Sequence, residues 1–445
     1  MVQQSMPPSK SIAFVRSLNG LVLFSLPAAW QVLTLADFQD SAVPADAEPL
    51  AIQALQAPLG APALEARLTA DNTVCILIED LTRSSPKKTV LKVVLDTLKR
   101  IGIPAGNISV VIALGTHRPL SSEELAGAFG TEVTAEYHFF NHDCHAADLV
   151  PIGRLSGGAE VKINRLAHAA DFRIGIGSIF PHPLNGFGGG GKILFPGVAD
   201  FQSIFAHHLC HSFRGNSSLG VLAGNEFHDE VTAMALAGRL DFIVNSVLDH
   251  NDRLHQVVAG DPVIAHRAGA AICRAIISHE FQGKADVTII SAFPYSEGPQ
   301  IMKPLAPAEM ITRKGGTVIL CADCRTPLPE SYFAACESFR AKYGPHLRRA
   351  VLDHFAANRP IMEGAPPELN MSMAQVMLGQ NDFNIILVTD DIPPGQVARL
   401  GFTHAANLHD SLLLAAEHQA SPTVNVVPAG GVILPVISKI SPLSG

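Results

Sequence analysis

The chain has 445 residues, more than one ordinary core accommodates, so two domains are expected. Its 47% apolar and 16% charged residues make an ordinary globular balance, and a net charge of −8 leaves no basic footprint for nucleic acid. A local cluster of arginines can still hold a small anion, because local fields need not follow the net charge.

In chain order, Lys10 and Arg16 precede an apolar run from Leu21 to Trp30 that faintly imitates a secretory signal. Asn19-Gly20 interrupts it as a hairpin turn does, and Val32 to Leu35 follows as another strand-like run, so an N-terminal hairpin is expected. A Pro/Ala-rich stretch, Ala42 to Ala63, leads to the first α/β unit. Val74 to Ile78 reads as a buried parallel strand, and Pro86 suits the start of a helix to about Arg100. Ile108 to Leu114 is the next strand, and Ser121 with Glu124 forms a capping box for another helix. Phe172 to Ile179 is a further strand that ends in a glycine-rich loop.

The pattern then repeats. Asp261-Pro262 starts a helix to about Ser278, and Val287–Ser291, Thr317–Cys321 and Asn384–Val388 read as strands. Helices are expected around Glu330 to Tyr343 and His409 to His418. The alternation predicts an α/β fold of two domains, residues 1–280 and 281–445, with mainly parallel sheets covered by helices. Its unusual polar residues fall just after strands, where ligands bind in open α/β sheets. The loops are therefore expected to converge on one cleft between the domains.

The seven cysteines, Cys75, Cys144, Cys210, Cys273, Cys321, Cys324 and Cys336, are scattered. Only Cys321 and Cys324 form a CxxC pair, with no second pair to complete a zinc site. Free thiols on this scale point to a reducing cytoplasm.

The most specific segment runs from Pro181 to Lys192, PHPLNGFGGGGK. Its glycines let the backbone approach a bulky or phosphorylated ligand, and their N–H groups can cradle an anion. Gly186 to Lys192 also fits G-x-x-x-x-G-K, the phosphate loop of nucleotide hydrolases, but Ile193 stands where that motif needs Ser or Thr for magnesium. His182 and His117 each follow a strand, and two imidazoles on separate loops can pass protons to two faces of one substrate. In Ala206 to His211, only His207 and His211 share a helix face, and the glutamate of an H-E-x-x-H zinc site is missing. Asp80-Leu81-Thr82-Arg83 reads either as a helix cap or as a clamp for phosphate or carboxylate. Gln300 and Lys303 are candidates to grip a carboxylate.

Taken in order, these motifs resemble the lactate racemase family, over most of the chain to at least Lys303. They are D-x-T-R at Asp80 to Arg83, G-T-H-R-P at Gly115 to Pro119, P-H-x-x-x-G-F-x-G-G-x-K at Pro181 to Lys192, and Q-x-x-K at Gln300 to Lys303. His208, sixteen residues beyond Lys192, matches the family's spacing for its metal ligand. The resemblance implies a nickel pincer nucleotide, a pyridinium-3-thioamide-5-thiocarboxylate mononucleotide carrying Ni2+, joined to Lys192 with His208 on the metal. It implies acid–base roles for His117 and His182, a cofactor-binding loop at Asp80, Leu81, Thr82 and Arg83, and substrate contacts from Gln300 and Lys303. The implied activity is racemisation or epimerisation of a 2-hydroxy acid in the cytoplasm, with cofactor-making enzymes as partners and no nucleic acid or membrane. Two features depart from the family. Pro299 precedes Gln300 where a tyrosine is usual, and the only tryptophan, Trp30, lies at the N-terminal end. These positions shape the substrate pocket, so lactate itself is in doubt and a larger or more polar acid is open. A nucleotide hydrolase built on the glycine loop, and a non-catalytic homologue that binds a small acid, are the alternatives.

Overall fold

The computed structural model describes residues 12–36, 46–82 and 84–438. The chain opens with strands β1 (Ile12–Ser17), β2 (Gly20–Ser25) and β3 (Gln31–Leu35). There follow α1 (Ala47–Gln56), β4 (Val74–Glu79), α2 (Lys87–Ile101), β5 (Ile108–Ala113), α3 (Ser122–Phe129), α4 (Thr131–Glu136) and β6 (His138–Asn141). A hairpin of β7 (Val150–Arg154) and β8 (Glu160–Ile163), then α5 (Arg165–Ala169), leads to β9 (Phe172–Ile179). The short pair β10 (Pro181–His182) and β11 (Gly186–Phe187) precedes α6 (Phe201–His211), α7 (Glu226–Ala237), β12 (Phe242–Leu248), β13 (Leu254–Gly260) and α8 (Ile264–Ile277).

Residues 42–277 form one compact unit. Its six-stranded sheet has the order β13-β12-β9-β4-β5-β6, parallel except for β13. The chain runs outward from β4 through β5 to β6, then crosses back to β9 and runs outward the other way. The order therefore reverses between β4 and β9, the place where doubly wound sheets open a crevice at their carboxyl ends. Strands β4, β9 and β12 are buried along almost their whole length, as strands covered on both faces must be. Helix α2 covers the sheet with an apolar stripe, Val90, Leu91, Val94 and Leu98 among it, and ends at Gly102 with φ +95°. Helix α3 starts on the expected capping box of Ser121 and Glu124.

The second unit joins residues 278–445 to residues 1–41. Its elements are β14 (Ser278–Phe281), β15 (Ala285–Ser291), α9 (Leu305–Ile311), β16 (Thr312–Cys321), α10 (Glu330–Tyr343), α11 (Leu347–Ala356) and α12 (Pro367–Asp382). They continue with β17 (Asn384–Val388), α13 (Pro394–Leu400), β18 (Thr403–Ala405), α14 (Leu408–His418), β19 (Thr423–Val427) and β20 (Leu434–Ile437). The sheet order β18-β17-β16-β15-β19-β3 is parallel throughout. The division differs from the expected 1–280 and 281–445 split. The hairpin forms as read, Ser17 opposite Gly20, but β3 pairs with β19 and Trp30 is buried in the second unit's core with Val287, Ile289 and Val424. The first strands therefore belong with the C-terminal unit, because a sheet edge there supplies their hydrogen bonds.

The cysteines are all free, and among the described residues no helix is long and apolar enough to cross a membrane.

Candidate active site

The site loops of residues 42–277 leave adjacent strands at the sheet's carboxyl edge. Asp80 follows β4 and is 6% exposed. Its Oδ1 accepts from the Thr82 N–H at 3.0 Å and the Thr82 hydroxyl at 2.5 Å, the local turn that Asp favours. Its Oδ2 lies 2.5 Å from Nδ1 of His117, in the loop after β5. A carboxylate at Nδ1 holds the imidazole proton there and leaves the lone pair on Nε2, the arrangement of an oriented base. Gly115, with φ +56°, lets this loop turn back, and its N–H donates to the Gly197 carbonyl. Arg118 forms a two-pronged ion pair with Glu124, whose carboxyl it holds down at about 2. Leu81 is 38% exposed, and Arg83 lies outside the described residues.

His182 is held differently. It sits in β10 opposite Gly186, and its Nδ1 accepts the backbone N–H groups of Leu184 at 3.2 Å and Asn185 at 3.0 Å. Two donors on Nδ1 place the ring proton on Nε2. Asn225 ties this turn down by donating to the Leu184 carbonyl.

The glycine run packs against protein, which corrects the expectation of a ligand cradle. A Cβ on Gly188 would lie 2.6 Å from Phe180, one on Gly190 2.6 Å from His266, and one on Gly191 2.8 Å from Ala235. The Gly188 N–H donates to the Phe180 carbonyl and the Gly190 N–H to Asn245 Oδ1. These N–H groups are engaged within the chain, and residues 190–193 make a single 3-10 turn. A phosphate loop needs its N–H groups facing the ligand and a helix behind it, so the hydrolase alternative loses its main support.

The turn places Lys192 with its Nζ 5.8 Å from the centre of the Phe227 ring. Phe227, fully buried in the first turn of α7, is a hub. The rings of His182, His207 and His208 lie 6.4, 4.3 and 5.1 Å from it. Three of the motif residues, His182, Lys192 and His208, thus meet on one aromatic ring that the motifs do not contain. The only sequence signal for it is Asn225, the N-cap of α7. His208 Nδ1 donates to the Ile204 carbonyl at 2.8 Å, which leaves the lone pair on Nε2. Burial, and then the Lys192 ammonium, push its pKa down to about 3, so the imidazole is neutral and fit to bind a metal. His207, with Nε2 against the Phe227 carbonyl, is also held neutral by burial. The structure adds the glutamate that the sequence lacked at the expected spacing: Glu230 of α7 lies 2.6 Å from His211.

In the other unit, Gln300 lies within a 3-10 turn and Lys303 follows it, beyond β15. Lys303 Nζ donates to Gln300 Oε1 at 3.1 Å and sits 4.7 Å from the Tyr295 ring centre. Pro299 donates no N–H, and its carbonyl accepts from Ser372 at 3.1 Å.

Sheet order and loop chemistry together define an α/β protein with a polar site beyond its strand ends. Comparison with known proteins narrows that class. The sequence profile of the lactate racemase N-terminal domain matches residues 19–220. The lactate racemase of Thermoanaerobacterium thermosaccharolyticum is 32% identical over 257 residues, 56% of this chain and 60% of that relative's own length. The lactate racemase of Lactiplantibacillus plantarum is 27% identical over 370 residues, 82% of this chain and 85% of that protein. Among solved structures, the lactate racemase apoprotein from Thermoanaerobacterium thermosaccharolyticum superimposes with a TM-score of 0.84 at 25% identity, covering 96% of this chain and 100% of that one. A Thermotoga maritima protein at 17% identity, covering 85% of this chain and 100% of that one, shares the fold alone at a TM-score of 0.62. The chain is thus similar to lactate racemases, by the domain profile in its N-terminal part and by fold over most of its length.

Proposed function

We propose that this protein is an isomerase, a racemase or epimerase that inverts C2 of a 2-hydroxy acid with a nickel pincer nucleotide carried on Lys192. The observation that carries the reading is the opposite setting of two imidazoles. His117, with Asp80 on Nδ1, offers a lone pair at Nε2, and His182, with two N–H donors on Nδ1, offers a proton at Nε2. One is set to take a hydroxyl proton and the other to donate to an oxygen, as an inversion through a planar intermediate requires.

The residues present fit the group. His208 is a neutral imidazole with its second nitrogen anchored on a carbonyl, the usual form of a metal-bound histidine. Imidazole suits nickel, and the Lys192 amine lies against the same Phe227 ring as His208. When bound, the cofactor supplies a hydride acceptor and donor, which spares the chain from stabilising a dianionic carbanion at C2. Lys192 carries the cofactor and His208 ligates its nickel. The segment Asp80, Leu81, Thr82 and Arg83 would bind it, with Asp80 also orienting His117. Gln300 and Lys303 hold the substrate carboxylate while the planar 2-keto acid turns, and exclusion of water limits its loss. Tyr295 at Lys303 supplies an aromatic surface in a region where the family's usual tyrosine is replaced by Pro299. The substrate accordingly extends beyond lactate to larger, more polar acids. Free cysteines fit a cytoplasmic setting, with cofactor-making enzymes as the partners.

A panel of 2-hydroxy acids, from lactate to sugar acids, incubated with loaded enzyme in deuterium oxide tests the reading. The expected result is inversion at C2 with the original hydrogen retained. Deuterium appearing at C2 at the rate of inversion contradicts hydride return and would end the proposal.

A further inference from the structure

We infer that His207, His211 and Glu230 form a second site, for a divalent first-row transition-metal ion, separate from the nickel ligand His208. One ligand atom from each of the three lies within 4.8 Å of the others. Two come from successive turns of α6, with ring centres 5.2 Å apart, and the third from α7.

The second observation is a stranded lone pair. Nδ1 of His207 is buried and has no hydrogen-bond partner. His207 is wholly buried, so water does not relieve it. The outer contacts have the form that metal sites use. His207 Nε2 is 3.1 Å from the Phe227 carbonyl, which fixes the tautomer and aims Nδ1 away from it. Glu230 is anchored through Oε1 by the Ser156 N–H, and its Oε2 faces His211 Nε2 at 2.6 Å. Glu226 stands 3.8 Å from His211 Nδ1 and adds a second carboxylate at the rim. Two imidazoles and a carboxylate suit zinc, cobalt(II), iron(II) or nickel(II) and leave a coordination position open. His208 points elsewhere: its Nδ1 is committed to the Ile204 carbonyl, and it is not one of the three donors. An ion here ties α6 to α7 next to Phe227, whose ring also lies near Lys192 and His182.

The test uses the full chain without a histidine tag, made without the cofactor-making enzymes and stripped with chelator. Zinc is titrated by calorimetry, and cobalt(II) is followed by its visible absorption. The expected result is one ion per chain, with an upward shift in melting temperature. Glu230→Gln and His211→Gln should each weaken binding roughly 100-fold, at or above the loss that even an outer partner causes. His208→Ala should leave it unchanged, and circular dichroism checks that each variant is folded. Absence of a stoichiometric ion in the wild-type chain overturns the proposal. So does an ion that His208→Ala weakens as much as Glu230→Gln, or one that none of the variants affects.

Discussion

At the scale of single residues, the proposed chemistry rests on the Asp80–His117 pair. A buried carboxylate at Nδ1 fixes the ring, and in the proposed reaction it would stabilise the imidazolium formed when Nε2 takes a proton. Asp80→Asn keeps the shape but offers an amide that can hold the wrong tautomer. The expected outcome is a fall in kcat of roughly 10²–10⁴-fold with little change in KM, measured by steady-state kinetics on loaded enzyme. Only part of this pair was legible in the sequence. His117 stands out because it follows a strand. Asp80 reads as a cap or a clamp, because its partner is 37 positions away and is delivered by the pairing of β4 with β5. Phe227 gave still less signal, since an aromatic in an amphipathic helix reads as core wherever it falls.

Among the elements, the glycine loop carries the largest revision. Its glycines are required, but by close packing on Phe180, His266 and Ala235. Composition alone does not separate a loop that admits a ligand from one that admits its own protein. Gly190→Ala puts a Cβ 2.6 Å from the His266 ring at a residue with φ +58°. It should destabilise the folded chain by about 1–3 kcal/mol in chemical denaturation of the cofactor-free protein. The strands found in advance were continuous apolar runs such as Val74–Ile78 and Asn384–Val388. Strand β12 escaped because Asn245 and Ser246 break its run, although both are buried. Asn245 is there to accept the Gly190 N–H, so the residue that hid the strand also holds the loop.

For the molecule as a whole, two features lie beyond local sequence. One is the return of β3 to the edge of the C-terminal sheet, beside β19, which no local pattern announces. The other is a set of buried neutral histidines. Burial pushes His228 and His266 down to about 4 from their ordinary 6.5, and their rings stack 5.4 Å apart beneath the glycine loop. The unfolded chain therefore binds more protons than the folded one between about pH 6.5 and 4, so stability rises with pH across that window. Melting temperatures of the cofactor-free protein should be level above about pH 7 and fall progressively toward pH 4, beyond the fall shown by a His228→Gln, His266→Gln double variant.

What the amine of Lys192 carries decides the proposed function. Intact mass measurement of protein co-produced with the cofactor-making enzymes, followed by peptide mapping, tests this most directly. One covalent pyridinium mononucleotide adduct on the Lys192 peptide, absent from Lys192→Ala, is the expected result. Enzyme that inverts a 2-hydroxy acid while its Lys192 peptide remains wholly unmodified would contradict it.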